Sequence, residues 1–435
     1  MKKEQLRNII DYLCYGFKIK EINSIFLLID IIILIYAIID FNKFLEVSNF
    51  LFLLFLLFIN IIWQIVSTIR DVWNYYNSSK GCFYYDNNGE KNTYLLSKRV
   101  ASEYSLLIID DIAEAVLISE KNSEVLLSGT PIYYKLYSSK RKKTIKYIHI
   151  YRSVLVKFLN CKWRNLCSNG GLFFNEEKLC MANELYDRKE ANKYIVSLCK
   201  GSYYNSYLTN NIYNKKIKYK GFILESPLNI RNYEIQSLFD SIMGDHIGVS
   251  TLAISKDGFI IIMCHNNRTN INANKLQPTG SGSVDFKDIK KGPNFINIIK
   301  YAAVRELIEE TNVPNSLINE TIITGFYRDL NRAGKPEFCC ITFLNENFMD
   351  INEVLIPNGK EESDEILRIR IFDKDGSINV EEINNFISSE IYALSLSLYM
   401  SYYMLLKFYN KNPLKSKLYS YDEYIKVNNI DISKN

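Results

Sequence analysis

The chain opens with two long apolar runs. Residues 22–39 read INSIFLLIDIIILIYAII and, at ~1.5 Å of rise per helical residue, reach ~27 Å, close to the hydrocarbon thickness of a bilayer. Residues 47–69, VSNFLFLLFLLFINIIWQIVSTI, hold no charged residue and set Trp63 near Arg70, as an interfacial anchor would be. A short polar connection containing Asp40, Asn42, Lys43 and Glu46 separates them. The pattern predicts two transmembrane helices forming a hairpin. A cleaved signal peptide has one shorter apolar region and a small-residue cleavage site, which is not this arrangement.

After residue 69 the periodicity shortens and mixes. The expected organisation is an N-terminal segment (1–21), the two spans (22–39 and 47–69), an α/β region of unassigned role (73–240), a second folded unit ending in a helix (241–410) and a polar tail (411–435). In the first folded region, alternation at 93–96 and 147–156 predicts strands, His149 reads as a structural residue, and the basic run at 140–146 reads as a solvated or membrane-facing loop. Near Met243 the segment HIGVSTLAISKDGFIIIMCHN gives two apolar runs joined at Lys256-Asp257-Gly258, a hairpin signal. A helical pattern covers 380–408. Its uncharged part, 391–406, is interrupted by Ser395, Ser397 and Ser401, which marks a buried helix and not a third span.

Composition refines this picture in three ways. A length of 435 residues calls for two or three folded units. The net charge of +5 comes from interleaved acids and bases without a basic block, so DNA is not an expected partner. Nine cysteines without CxxC spacing point to reduced thiols. Heavy use of Ile, Asn, Lys and Tyr is a bias found in AT-rich bacterial genomes. Lys2, Lys3, Arg7, Lys18 and Lys20 precede the first apolar run while the connection holds only Lys43, so the positive-inside rule places both termini in the cytoplasm and the chain as a multi-pass protein of a bacterial inner membrane. Asp30 falls halfway along the first run, where an acid costs roughly 2.5–3.5 kcal/mol and needs a partner. Asn60 and Gln64, one helical turn apart, are its candidate partners, as polar glue between helices or at an assembly interface.

The chemistry-bearing stretch is VRELIEETNV, residues 304–313. On a helix Glu306, Glu309 and Glu310 share one face, and a hard divalent cation suits three clustered carboxylates. A solvated acidic face is the competing reading. The hairpin, the glycine-bearing turn PTGSGSVD (278–285) and the REUxEE helix, with U aliphatic, together resemble the Nudix family over roughly 244–372. The resemblance implies an α/β/α sandwich, magnesium held by Glu306, Glu309 and Glu310, and, in a hydrolase, catalytic roles for Glu309 and Glu310. Two positions depart from the family pattern: Asn297 stands where a further glutamate is usual, and Asn312 replaces a glycine. About ten extra residues around 287–292 separate turn from helix. Asp285 is a candidate for the missing carboxylate, and Glu361, Glu362 and Asp364 for a late base. Downstream, Tyr327, Arg328, Arg332 and Lys335 mix an aromatic with cations and are expected to contact a nucleotide.

The fold class expected is therefore a membrane two-helix hairpin plus an α+β cytosolic region containing a Nudix-type sandwich. With the stretch GSYYNSYLTN (201–210), this architecture resembles the transmembrane Nudix effectors of bacterial cyclic-oligonucleotide anti-phage signalling, the CBASS systems. That resemblance implies a receptor for a cyclic di- or oligonucleotide made by a partner synthase, assembly into a homo-oligomer, disruption of the lipid bilayer and abortive infection. The alternative is a membrane-tethered, magnesium-dependent Nudix hydrolase of a nucleoside diphosphate derivative, and a third class is a structural membrane scaffold.

Overall fold

The structure, a computed structural model, describes residues 93–168, 173–265, 274–352, 363–373, 375–411 and 417–428, a short strand at 83–85, a helical piece at 58–62, and the single positions Tyr12, Phe55, Val66 and Ile430. Among the described residues ten strands join in one mixed sheet. In chain order they are β1 (Ser105–Ile109), β2 (Glu114–Ile118), β3 (Gly248–Ile254), β4 (Phe259–His265), β5 (Leu276–Gln277), β6 (Gly280–Ser283), β7 (Ile318–Asp329), β8 (Lys335–Leu344), β9 (Ser363–Arg370) and β10 (Lys417–Tyr419). The main path runs β5-β4-β3-β8-β7-β2-β1-β10, with β6 paired to β3 and β9 to β4. At its centre β3 lies parallel to β8, Gly248 opposite Glu337 through Ile254 opposite Phe343. The Asp-Gly turn does join β3 to β4, with Gly258 at φ +83°.

Each face of this sheet carries helices. On one side α1 (Phe295–Thr311) buries Phe295, Ile298, Ile299, Ala302, Ala303 and Leu307, spaced by threes and fours along a single stripe. They pack on Val249, Phe326 and Phe338. The other side is covered by α2 (Val380–Glu390) and α3 (Leu396–Phe408), whose Leu398, Met400 and Tyr402 meet Leu252, Ile262 and Ile341. The expected single helical stretch at 380–408 is broken, since a short 3-10 turn at Ile391–Ala393 separates α2 from α3 and Ser395 caps the second helix. The α3 segment is a buried helix, as its serines indicate.

The region before residue 240 is stitched into this sheet. It supplies β1 and β2, and its strand Glu177–Met181 bonds to the start of β3 and the end of β6: Leu179 N–H to Val284 C=O at 2.9 Å and Ile247 N–H to Leu179 C=O at 2.9 Å. Two readings are corrected here. Residues 147–156, expected as a strand, belong to helices Ser139–Ile150 and Arg152–Ser168. The alternation was that of an amphipathic helix read over too short a window. The basic run at 140–146 is likewise helical. Lys140 is buried, with its ammonium 2.6 Å from Asp245 and 2.8 Å from the Leu238 carbonyl. Asp245 also accepts from the Asn210 amide at 2.8 Å and sits at φ +44°.

The membrane-hairpin fold class is corrected to an α+β fold built on a mixed sheet. Among the described residues no helix is long and apolar enough to cross a membrane. The runs 22–39 and 47–69 lie outside the described residues except at Phe55, 58–62 and Val66. Asp30 and Gln64 are outside them too, and Asn60 occupies an exposed helical position.

Removing one partner from a buried ion pair strands the other charge, at a cost of ~3–5 kcal/mol. Lys140→Met is expected to destabilise the protein by about that amount, and the double variant Lys140→Met/Asp245→Asn by less than the single one. Chemical denaturation of the three proteins measures both; equal losses in single and double variants would show that the pair does not couple the helix to the sheet.

Candidate functional site

The carboxylate helix α1 starts where Asn294 caps it, its side chain accepting from the Ile296 N–H at 2.9 Å, and ends at Asn312 in the left-handed conformation with φ +57°. Asparagine tolerates that conformation, so the glycine of the family pattern is not required there. Strand β6 crosses directly over the third turn of α1. A Cβ on Gly280 would lie 2.6 Å from the Leu307 nitrogen, and one on Gly282 would lie 2.3 Å from the Glu306 carboxyl. Only glycine permits this approach, and it brings two backbone donors onto the carboxylates. Ser281 N–H donates to Glu310 at 3.1 Å and Ser283 N–H to Glu306 at 3.2 Å.

Arg305 holds the flank. Its guanidinium lies 2.9 Å from Glu306, 3.0 Å from Glu309 and 3.2 Å from Asp288, and it donates to the Ser283 carbonyl at 2.9 Å. The extra residues between turn and helix form a 3-10 segment, Phe286–Lys291, closed by a capping box in which Asp285 and Asp288 bond each other's backbone. Asp285 is also 2.7 Å from Lys178 and 3.0 Å from Lys287. Burial opposes its charge, but Lys178, Arg305 and Lys287 outweigh that and hold the carboxyl below its ordinary value. For Glu306 burial dominates: despite Arg305 and Lys178 its carboxyl is pushed up to about 7.

Four other predicted contacts are placed elsewhere. Arg328 is fully buried, donating at 2.7 Å to the carbonyls of Gly334 and Gln236 and lying 3.4 Å from Glu184. Tyr327 is 1% exposed. Lys335 pairs with Glu337, and Arg332 with Asp329 and Glu337. Arg328, Arg332 and Lys335 sit at the seam between β7, β8 and the region before residue 240, with Lys335 and Glu337 packed on Gly248, the pairing partner of Ser283, while Tyr327 packs into the core under α3. Glu361 and Glu362 lie outside the described residues, and Asp364 falls in β9. Sequence reasoning missed Lys178, Asp288 and the donors of Ser281 and Ser283. Lys178 lies 127 positions before Arg305 in the numbering and carries no motif; the spacing of Asp285 and Asp288 is a capping signature that was readable.

The donors around Glu306 are all hard oxygens. The Oδ1 of Asp288 is buried without a hydrogen-bond partner, and burial disfavours the charged form of Glu306 despite Arg305 and Lys178. Both observations suit a divalent cation. Among the described residues no three acidic, histidine or cysteine side chains converge on a metal-sized point; a magnesium ion needs only one or two carboxylates, its shell completed by water and phosphate. Glu306 and Glu310 are the residues that would hold it.

No protein-family model matches the chain, and neither does any curated protein. Among solved structures it is similar to a Deinococcus radiodurans protein, at 14% identity over 35% of this chain and 78% of that one with a TM-score of 0.24. It is also similar to RenU, a Nudix hydrolase of M. smegmatis, at 15% identity over 35% of this chain and 90% of that one with a TM-score of 0.21. These are distant matches to Nudix-type folds. The absence of a membrane-spanning helix among the described residues overturns the effector reading and the multi-pass inner-membrane location. Contact with a lipid bilayer, cyclic-nucleotide binding, assembly and a partner synthase find no support in these comparisons.

Because the Glu306 pKa is raised in the fold, the native state holds a proton that the unfolded chain releases between pH 4.5 and about 7. The stability it contributes is present at low pH and is lost as pH rises through that window. Magnesium relieves the ionised form, so it is expected to raise the melting temperature more at pH 8 than at pH 5, and Glu306→Gln to abolish the difference. Calorimetry with magnesium and with EDTA at both pH values decides this; an equal shift at both would count against Glu306 as a ligand.

Proposed function

We propose that the turn–helix unit is a magnesium-dependent hydrolytic site for phosphoanhydrides of the nucleoside diphosphate type. The observation that carries it is the pair of backbone hydrogen bonds from β6 to Glu306 and Glu310, which fixes two carboxylates and a glycine turn in one rigid unit. Magnesium, when bound, supplies charge to the phosphate oxygens and acidity to a bound water. The protein's own part is positional. Arg305 holds the 53% exposed Glu309 side chain at the rim, where its carboxylate can accept the proton of an attacking water. As the water oxygen bonds to phosphorus the anhydride P–O bond breaks, and the departing phosphate carries away the electron pair.

Incubation of the full chain with nucleoside diphosphate derivatives and magnesium, followed by chromatography, tests this. Glu309→Gln is expected to lower turnover by about 10²–10⁴-fold, and Glu310→Gln to raise the magnesium concentration needed. Intact substrate throughout the panel, with no magnesium-dependent binding, would sink the proposal.

A further inference from the structure

A cavity of about 670 Å³ opens at the opposite end of β3 from Gly248, between the Lys256-Asp257-Gly258 turn, the end of β9 and the end of α3. Its volume is that of a small-molecule site. Three half-buried aromatic rings wall it: Phe343, Phe372 and Tyr409. Phe372 stands edge-on to Tyr409 with centroids 5.6 Å apart, and 6.4 Å from Phe343. Two cations face the same space, Lys256 from the turn and Arg370 from β9.

The charges in this cavity are unevenly matched. Asp257 accepts from the Ser255 hydroxyl at 2.6 Å and from the Phe348 N–H at 2.9 Å, and Asp373 from the Asn379 amide at 3.3 Å. Both carboxylates are thus engaged within the protein. Among the described residues neither Lys256 nor Arg370 has an ion pair within 4.0 Å; Arg370 lies over the Phe259 ring at 4.7 Å and its charge acts on Asp257 only from beyond ion-pair distance. A ring-lined cavity with two cations at its wall, neither in a close ion pair, is complementary to a planar aromatic ring bearing an anionic group.

We propose that this cavity is a second binding site, separate from the carboxylate helix, for an aromatic anion of mononucleotide size. The ring stacks among Phe343, Phe372 and Tyr409, and the anion meets Arg370 and Lys256.

The test is calorimetric titration of the full chain with adenosine monophosphate in EDTA, which leaves any magnesium-dependent site silent. Saturable binding is expected, with adenosine alone and inorganic phosphate alone each much weaker. Arg370→Gln is expected to weaken it roughly 10- to 100-fold, and Lys256→Gln, at an exposed turn position, to weaken it to a smaller degree. Glu310→Gln is expected to leave it unchanged. Absent binding, or binding indifferent to both Arg370→Gln and Lys256→Gln, overturns the proposal, as does loss in Glu310→Gln, which would move the ligand to the carboxylate helix.

Discussion

A charge removed from water must meet its countercharge, and the seam between the two halves of this chain is organised by that requirement. Lys140 reaches Asp245, Arg328 reaches Glu184, and Lys178 reaches Asp285. Each pair joins a residue before position 240 to one after it. Hydrophobic contact alone would allow the two regions to slide, since apolar burial has no direction. A buried ammonium with one carboxylate in reach allows a single register, and the hydrogen bonds of Leu179, Met181 and Ile247 along the same seam follow from it.

The carboxylate helix depends on this seam. Lys178 arrives on a strand of the first region and sets the charge on Asp285, which caps the 3-10 segment carrying Asp288, and Asp288 in turn holds Arg305. Arg305 is therefore surrounded by Glu306, Glu309, Asp285 and Asp288, whose charges keep its guanidinium protonated against the penalty of burial. One guanidinium serves several acids, and for Glu306 the penalty of burial outweighs Arg305 and Lys178 and pushes its carboxyl up.

Part of this was legible in the sequence because it depends on local spacing. The Asp-Gly hairpin, the helix carrying Glu306, Glu309 and Glu310, and the buried character of 391–406 all follow from periods of two or 3.6 residues and from turn chemistry. What was not legible depends on distance along the chain. Arg328 looks like a phosphate ligand in isolation, and nothing within twenty positions shows that Glu184 and Gln236 will lie against it; Glu337, which pairs with Arg332 and Lys335, is by contrast a near neighbour in the chain. The basic run at 140–146 misled for the same reason, because the acid that buries Lys140 is 105 positions away.

The same logic governs the charges around the carboxylate helix. Asn297 lies eight residues before Arg305, ~12 Å along the helix axis, and has no charge to offer. The inserted residues 286–291 bring Asp288 to 3.2 Å from Arg305, and Asp285 to 4.0 Å, from outside the helix. The loop thus adds its own carboxylates to those of the helix around one guanidinium. That arrangement has a geometric condition: β6 must lie close enough to α1 for Ser283 to bond both Glu306 and Arg305, through its N–H to the former and its carbonyl to the latter. Gly280 and Gly282 meet the condition by having no side chain, since a methyl on either would strike Leu307 or Glu306. The glycine turn and the divergent helix are for this reason a single unit, in which a change to either displaces the other.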